Sequence, residues 1–226
     1  MGVHDGHRKR LIRRFLEEEL DNFSPHNILE LLLFYGIPRR DTNVIAHTLL
    51  DHFGSISGVM DAPFAELVAI EGVGEHAASL IKLIPQLARA YSSDKSNDIV
   101  LNSTEKAGQY LLSRYIGRNE EVVYMVCIDS KCRITGTALI HRGSVNAAEV
   151  NIRKIMSTAL KYNAVGVIIA HNHPGGVALP SSADLATTHR IREMLAPVNI
   201  QLVDHIIIAD NDFVSLADTG SILPQK

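Results

Sequence analysis

Two histidines and one aspartate stand out as residues able to do chemistry together, in the stretch V-I-I-A-H-N-H-P-G-G-V-A-L-P-S-S-A-D from Val167 to Asp184. One residue separates His171 from His173, and in extended backbone positions i and i+2 face the same side, so both imidazoles aim at one spot. Asp184 adds a carboxylate from what reads as the first turn of a helix opened by Pro180-Ser181-Ser182. Two neutral imidazoles and a carboxylate, with a fourth tetrahedral position left to water, form a catalytic zinc ligand set. Structural zinc is usually closed by four protein ligands. Zinc in such an open site brings its water to a pKa of about 7. Each residue also has a simpler account: Ser181-x-x-Asp184 is a helix-capping pair, and histidines at a strand end can hydrogen-bond to solvent. The convergence of all three favours metal, and one Zn2+ per chain is expected on His171, His173 and Asp184.

The elements that must hold these residues are legible around them. Val165 to Ala170 is a short β-branched run, as a buried strand would be. Pro174 stops ladder pairing, Gly175-Gly176 permits a sharp turn, and a helix is expected from Ser181 to Leu195. Upstream, Ser103-Thr104 caps a helix to about Arg118, Glu121 to Asp129 is a strand, Ser130-Lys131 turns it, and Arg133 to Ile140 returns. A helix from Ala148 to Asn163 follows, and after the motif a strand from Ile200 to Ala209 with a short piece at Phe213-Val214-Ser215-Leu216. This order predicts an α/β unit, a mixed sheet covered by helices on both faces. The zinc-deaminase pattern needs His-x-Glu and a later Pro-Cys-x-x-Cys, which are absent.

The spacing His171-x-His173-Pro174, six residues, Ser181, two residues, Asp184 resembles the JAMM motif of the MPN-domain metalloproteases. The longer string H-N-H-P-G-G…P-S-S-A-D, with D-H-I-I-I from Asp204 to Ile208, resembles the RadC branch of that family, over nearly the whole chain. RadC proteins usually carry Ser-Gly-Asp-Pro after His-Pro. Here Gly175-Gly176-Val177-Ala178 stands instead, which alters the loop and leaves the ligands in place. The resemblance implies a cytidine-deaminase-like MPN/JAMM sheet domain preceded by an all-α, helix-hairpin-helix-like domain. It also implies zinc-dependent amide or isopeptide hydrolysis of a peptide or protein substrate. The JAMM mechanism assigns the general base to an upstream glutamate. Glu121 holds that place by element order; Glu149 is the alternative, although a helix start favours Glu for dipole reasons alone. Ser181 would donate to the developing oxyanion. His189, or the pair Asp204-His205, are candidates to orient the ligands, with a structural role the simpler account for each.

Composition bounds the rest. In 226 residues, 46% hydrophobic and 21% charged, there is ample core for one large or two small domains. No apolar run approaches membrane length and no signal peptide is evident, so the cytoplasm is expected. Two cysteines, Cys127 and Cys132, do not make a disulfide framework. Three helices are expected before Gly54, the first bearing the basic group Arg8, Lys9, Arg10, Arg13 and Arg14 ahead of Glu17-Glu18-Glu19, at pairing distance on a solvated face. Glu71-Gly72-Val73-Gly74 joins two apolar helices and resembles the turn of helix-hairpin-helix modules. Gly72, Val73 and Gly74 are therefore candidate phosphate contacts within a segment of about 54–90. Acidic side chains outnumber basic ones between Met1 and Lys95, however, and a compact helical packing module is an equal reading. The expected organisation is a helical domain at 1–91, a polar linker at 92–98 and the MPN/JAMM domain at 99–226. A DNA-associated accessory role for the helical module is the rival to the metallohydrolase. Oligomeric state is not indicated.

Overall fold

Apolar residues at helical spacing near the N-terminus are realised as α1 (Val3–Glu18), α2 (Pro25–Gly36), α3 (Thr42–Phe53), α4 (Ile56–Asp61), α5 (Phe64–Ala69) and α6 (Glu75–Asp94). The computed structural model describes residues 3–38, 40–94, 99–143 and 151–222. The chain divides into two compact units, Met1–Ala88 and Arg89–Lys226. In the first, the Asp41 side chain accepts from Asn43 N to start α3, and Gly54, at φ 79°, ends it in the left-handed region that glycine tolerates best. Leu29, Leu33, Leu49, Leu67 and Ile81 form its fully buried centre. Three members of the basic group on α1 are engaged within the unit. Arg13 and Arg14 pair with Glu17 and Glu18 one turn on, while Arg8 donates to the carbonyls of Ile37, Pro38 and Arg40. Helix α6 runs on through Ser92, Ser93 and Asp94, where composition suggests linker; 95–98 lie outside the described residues.

The second unit comprises α7 (Thr104–Tyr115), β1 (Val122–Ile128), β2 (Ile134–Arg142), α8 (Ile152–Lys161), β3 (Gly166–Asn172), α9 (Ser182–Leu195), β4 (Gln201–Ala209) and β5 (Asp212–Ser215). The five strands form one sheet in the order β2-β1-β3-β4-β5. Only β3 and β4 run parallel, so the sheet is mixed as expected. β3, buried at every position, lies at its centre. Strand alternation sends Val123, Met125, Val167 and Ile169 to a core shared with Ile155 of α8 and with Ile191 and Leu195 of α9. Val122, Val126, Ile168 and Ala170 pack on the opposite side with Ala107, Tyr110 and Leu111 of α7. Both faces are covered. Asn151 caps α8, its side chain accepting from Lys154 N; the start expected at Ala148 falls within 144–150, which lie outside the described residues. Among the described residues, no helix is long and apolar enough to cross a membrane.

Candidate metal centre

The end of β3 and the start of α9 meet over the face that carries α8 and α9. His171 is the penultimate residue of β3, and His173 follows the strand, its N–H donating to Ile208 O at 2.8 Å, so the backbone stays extended across the pair. Both side chains leave from one side. His171 Nε2 lies 2.9 Å from His173 Nε2 and 3.1 Å from Asp184 Oδ1; His173 Nε2 lies 3.6 Å from Asp184 Oδ2. Donors around a tetrahedral zinc-sized ion at about 2.0–2.1 Å stand about 3.3 Å from one another. The three side chains are thus spaced as a metal's ligands are. His171 is fully buried, Asp184 is 3% exposed, and His173 at 24% is the member open to solvent.

The capping pair foreseen at the start of α9 is present, and it serves the cluster. Ser181 Oγ accepts from Asp184 N, while Asp184 Oδ2 accepts from Ser181 N at 2.7 Å and from Ser181 Oγ at 2.6 Å. With Oδ2 held this way, Oδ1 faces His171. Burial pushes the Asp184 carboxyl up, but the adjoining His171 imidazole and the hydrogen bonds from Ser181 outweigh it and hold the group below the usual carboxylate range. The hydroxyl hydrogen of Ser181, expected to serve an oxyanion, is engaged with Asp184 in this arrangement.

His173 Nδ1 lies 3.1 Å from Val177 O. A carbonyl only accepts, so the imidazole donates from Nδ1 and keeps the lone pair of Nε2 for the cluster. Glu121 opens the strand region of β1, two residues before Val123, which is paired with His171. Alternation therefore puts it on the His171 face. Glu121, His171 and His173 each bring one ligand atom within 4.8 Å of the others, close enough to share a metal ion or to reach it through one water. Glu149, the other candidate base, lies outside the described residues.

Among the candidate orienting residues, His205 stands out. His205 Nε2 is 2.8 Å from His171 Nδ1, and His205 Nδ1 is 2.5 Å from Thr188 Oγ1. Burial above all, then the neighbouring His171, push the His205 imidazole down to about 3, which keeps it neutral. Asp204 turns to the other face of β4, where it accepts from Ser215 Oγ at 2.6 Å and Ala217 N at 3.0 Å, and His189 is exposed. Neither joins the cluster in the described contacts.

A residue beside the histidines went unread in the sequence. Asn172, 5% exposed, accepts from Val122 N through Oδ1 at 2.8 Å and donates from Nδ2 to Glu120 O at 3.1 Å. Its amide thus clamps the backbone on both sides of Glu121. The available signal was the middle letter of His-x-His, a polar residue on a strand otherwise buried and obliged by alternation to face away from the ligands. Of the two cysteines, burial raises the Cys127 thiol to about 12, which makes it a poor nucleophile.

In the helical unit, Gly72 has φ 91°, and a Cβ there would stand 2.8 Å from Ile45 Cδ1. Val73 is buried and its N–H donates to Ile70 O at 3.0 Å. A Cβ on Gly74 would meet open space. The first two positions of the hairpin are thus engaged in packing and turn formation.

A central strand that delivers two imidazoles, followed by a helix whose cap delivers a carboxylate, defines a metallohydrolase-like domain of the JAB/MPN kind. More narrowly, residues 101–221 match the family described as RadC-like JAB domain, and since this is over half the chain, the protein belongs to that family.

Proposed function

We propose that the protein is a zinc-dependent hydrolase of amide bonds in peptide or protein substrates, with His171, His173 and Asp184 as metal ligands and Glu121 as general base. One observation carries this reading. Two imidazole nitrogens lie 2.9 Å apart, with the Asp184 carboxylate 3.1 Å from one through Oδ1 and 3.6 Å from the other through Oδ2, and the Glu121 carboxylate within 4.8 Å of both histidines. Acceptors that close repel unless a cation lies among them, and imidazole with carboxylate suits zinc. When bound, zinc would supply a water of lowered pKa and polarise the scissile carbonyl.

The chain's own groups supply the rest. Glu121, partly exposed as His173 is, takes the proton from the attacking water and delivers it to the leaving amine nitrogen as the C–N bond breaks. Asn172 keeps that carboxylate in place by holding the backbone before and after it. Ser181 donates to the tetrahedral oxyanion. For this its hydroxyl leaves Asp184 Oδ2, while the Ser181 N–H retains its own bond to that oxygen. The buried walls of His171 and Asp184 limit water to the His173 side.

Metal analysis of the purified full chain beside His173→Ala tests the site. Stoichiometric zinc in the wild type, lost in the variant, is expected. Chelator-sensitive cleavage of isopeptide-linked or linear peptide substrates, absent in Glu121→Gln with zinc retained, tests the activity. A wild type without zinc, or cleavage indifferent to Glu121→Gln, would refute the assignment.

A further inference from the structure

We propose that Thr188, acting through His205, decides which nitrogen of His171 faces the metal, so that helix α9 supplies one ligand and sets the hydrogen placement of another. The proposal rests on the metal-centre reading above and concerns positioning residues, since neither side chain touches the reacting atoms.

The hydrogens can be placed one at a time. Thr188 Oγ1 lies 2.6 Å from the backbone carbonyl of Asp184, one turn earlier on α9. Two oxygens that close need a hydrogen between them, and only the threonine has one to give. That hydrogen being committed to the carbonyl, the 2.5 Å contact between Thr188 Oγ1 and His205 Nδ1 must take its hydrogen from the imidazole. A neutral imidazole has one ring N–H, so His205 Nε2 is left as an acceptor. It lies 2.8 Å from His171 Nδ1, which must then donate. His171 is left with a bare Nε2, and that is the nitrogen 2.9 Å from His173 Nε2 and 3.1 Å from Asp184 Oδ1.

The direction of the chain is set at its far end. A helix carbonyl cannot donate, so the sequence carbonyl, hydroxyl, imidazole, imidazole runs one way only. Thr188 and His205 are each 2% exposed, so water does not compete for these bonds. A carboxylate often performs this office for a metal-bound histidine. Here the partner is uncharged, and the negative charge at the centre is left to Asp184 and Glu121.

The test uses the intact protein and zinc itself. Zinc affinity, measured by competition with a chromophoric chelator, is expected to fall about 10–100-fold in Thr188→Val, the usual cost of losing an outer partner of a ligand. Thr188→Ser, which keeps the hydroxyl, should stay near the wild type. His205→Gln keeps an acceptor and a donor on one amide and should lose less than His205→Phe. Long-range 1H–15N spectra of the metal-free wild type at pH 8 should show the His205 hydrogen on Nδ1. A His205 hydrogen on Nε2, or Thr188→Val and His205→Phe binding zinc as the wild type does, would overturn the proposal. Should Thr188→Val fail to fold, the wild-type spectrum with the Thr188→Ser and His205→Gln affinities decides. A wild type without zinc affinity would overturn the metal-centre reading, and the proposal with it. The spectrum tells the two failures apart, because the hydrogen positions are read without metal.

Discussion

The exit of β3 and the hairpin between α5 and α6 both carry letters associated with a ligand, yet they deploy their groups differently. At His171, His173 and Asp184, side-chain bonds pull each residue's second polar atom aside and leave one acceptor facing inward: Val177 O for His173, His205 for His171, Ser181 for Asp184. At Gly72 and Val73 the groups are turned into the fold, one against Ile45 and one toward Ile70 O. A motif marks a site when its polar atoms remain uncommitted in one shared direction. It marks a turn when they are consumed locally.

That contrast can be attacked from both ends. Asp184→Asn should lose zinc by more than the roughly 10–100-fold typical of outer-partner changes, since it removes a ligand charge while an amide oxygen can still accept from Ser181 N. Retention of full affinity, measured by chelator competition, would show that the cap and not the metal explains the carboxylate.

Acid should act next most strongly on the metal-free protein. His205 is held down to about 3 in the fold against 6.5 for the free side chain. Between those values the unfolded chain binds the proton that the folded one refuses, so stability falls as pH falls, by up to about 1.4 kcal/mol per pH unit. The depressed Asp184 carboxyl acts in the same sense: its contribution is present above its unfolded value and lost as pH drops through the folded one. Denaturant titrations of wild type and His205→Gln from pH 7 to pH 4 should converge toward the acid end.

Asn172→Ala leaves Val122 N and Glu120 O without their partner and should cost about 1–3 kcal/mol. It should also impair cleavage more than zinc affinity, because it loosens Glu121 and not the ligands. Equal losses in both would place Asn172 in the general packing of β3. Gly72→Ala, at φ 91° and against Ile45, should cost about 1–2 kcal/mol from the backbone alone. Gly74→Ala should change stability by less than about 0.5 kcal/mol. If the latter nevertheless abolished a steep, salt-dependent retention of the full chain on DNA, the hairpin would be a phosphate seat after all, and the contrast would fail.

Much of this was legible from residue order. The period-2 logic of His171 and His173, the β-branched run before them and the Ser181-Asp184 spacing read directly onto β3 and α9, because all are local patterns. What escaped depends on partners far along the chain. Asn172 matters through Val122 and Glu120, and Thr188 through His205; neither pairing leaves a mark at short range. The cap of α8 at Asn151, whose side chain begins the helix at Ile152, also went unread. The linker reading of Ser92 to Asp94 missed that polar residues can extend a helix already nucleated by an apolar face.

The Ser181–Asp184 cap carries one more implication. A single carboxylate closes the first turn of α9 and, on the proposed reading, would contribute to the ion's shell, so capture of the ion and completion of that turn would be thermodynamically linked. Slowed hydrogen exchange at the amides of Ser181 and Asp184 would then report occupancy, making the opening turn of one helix a built-in gauge of whether the centre is loaded.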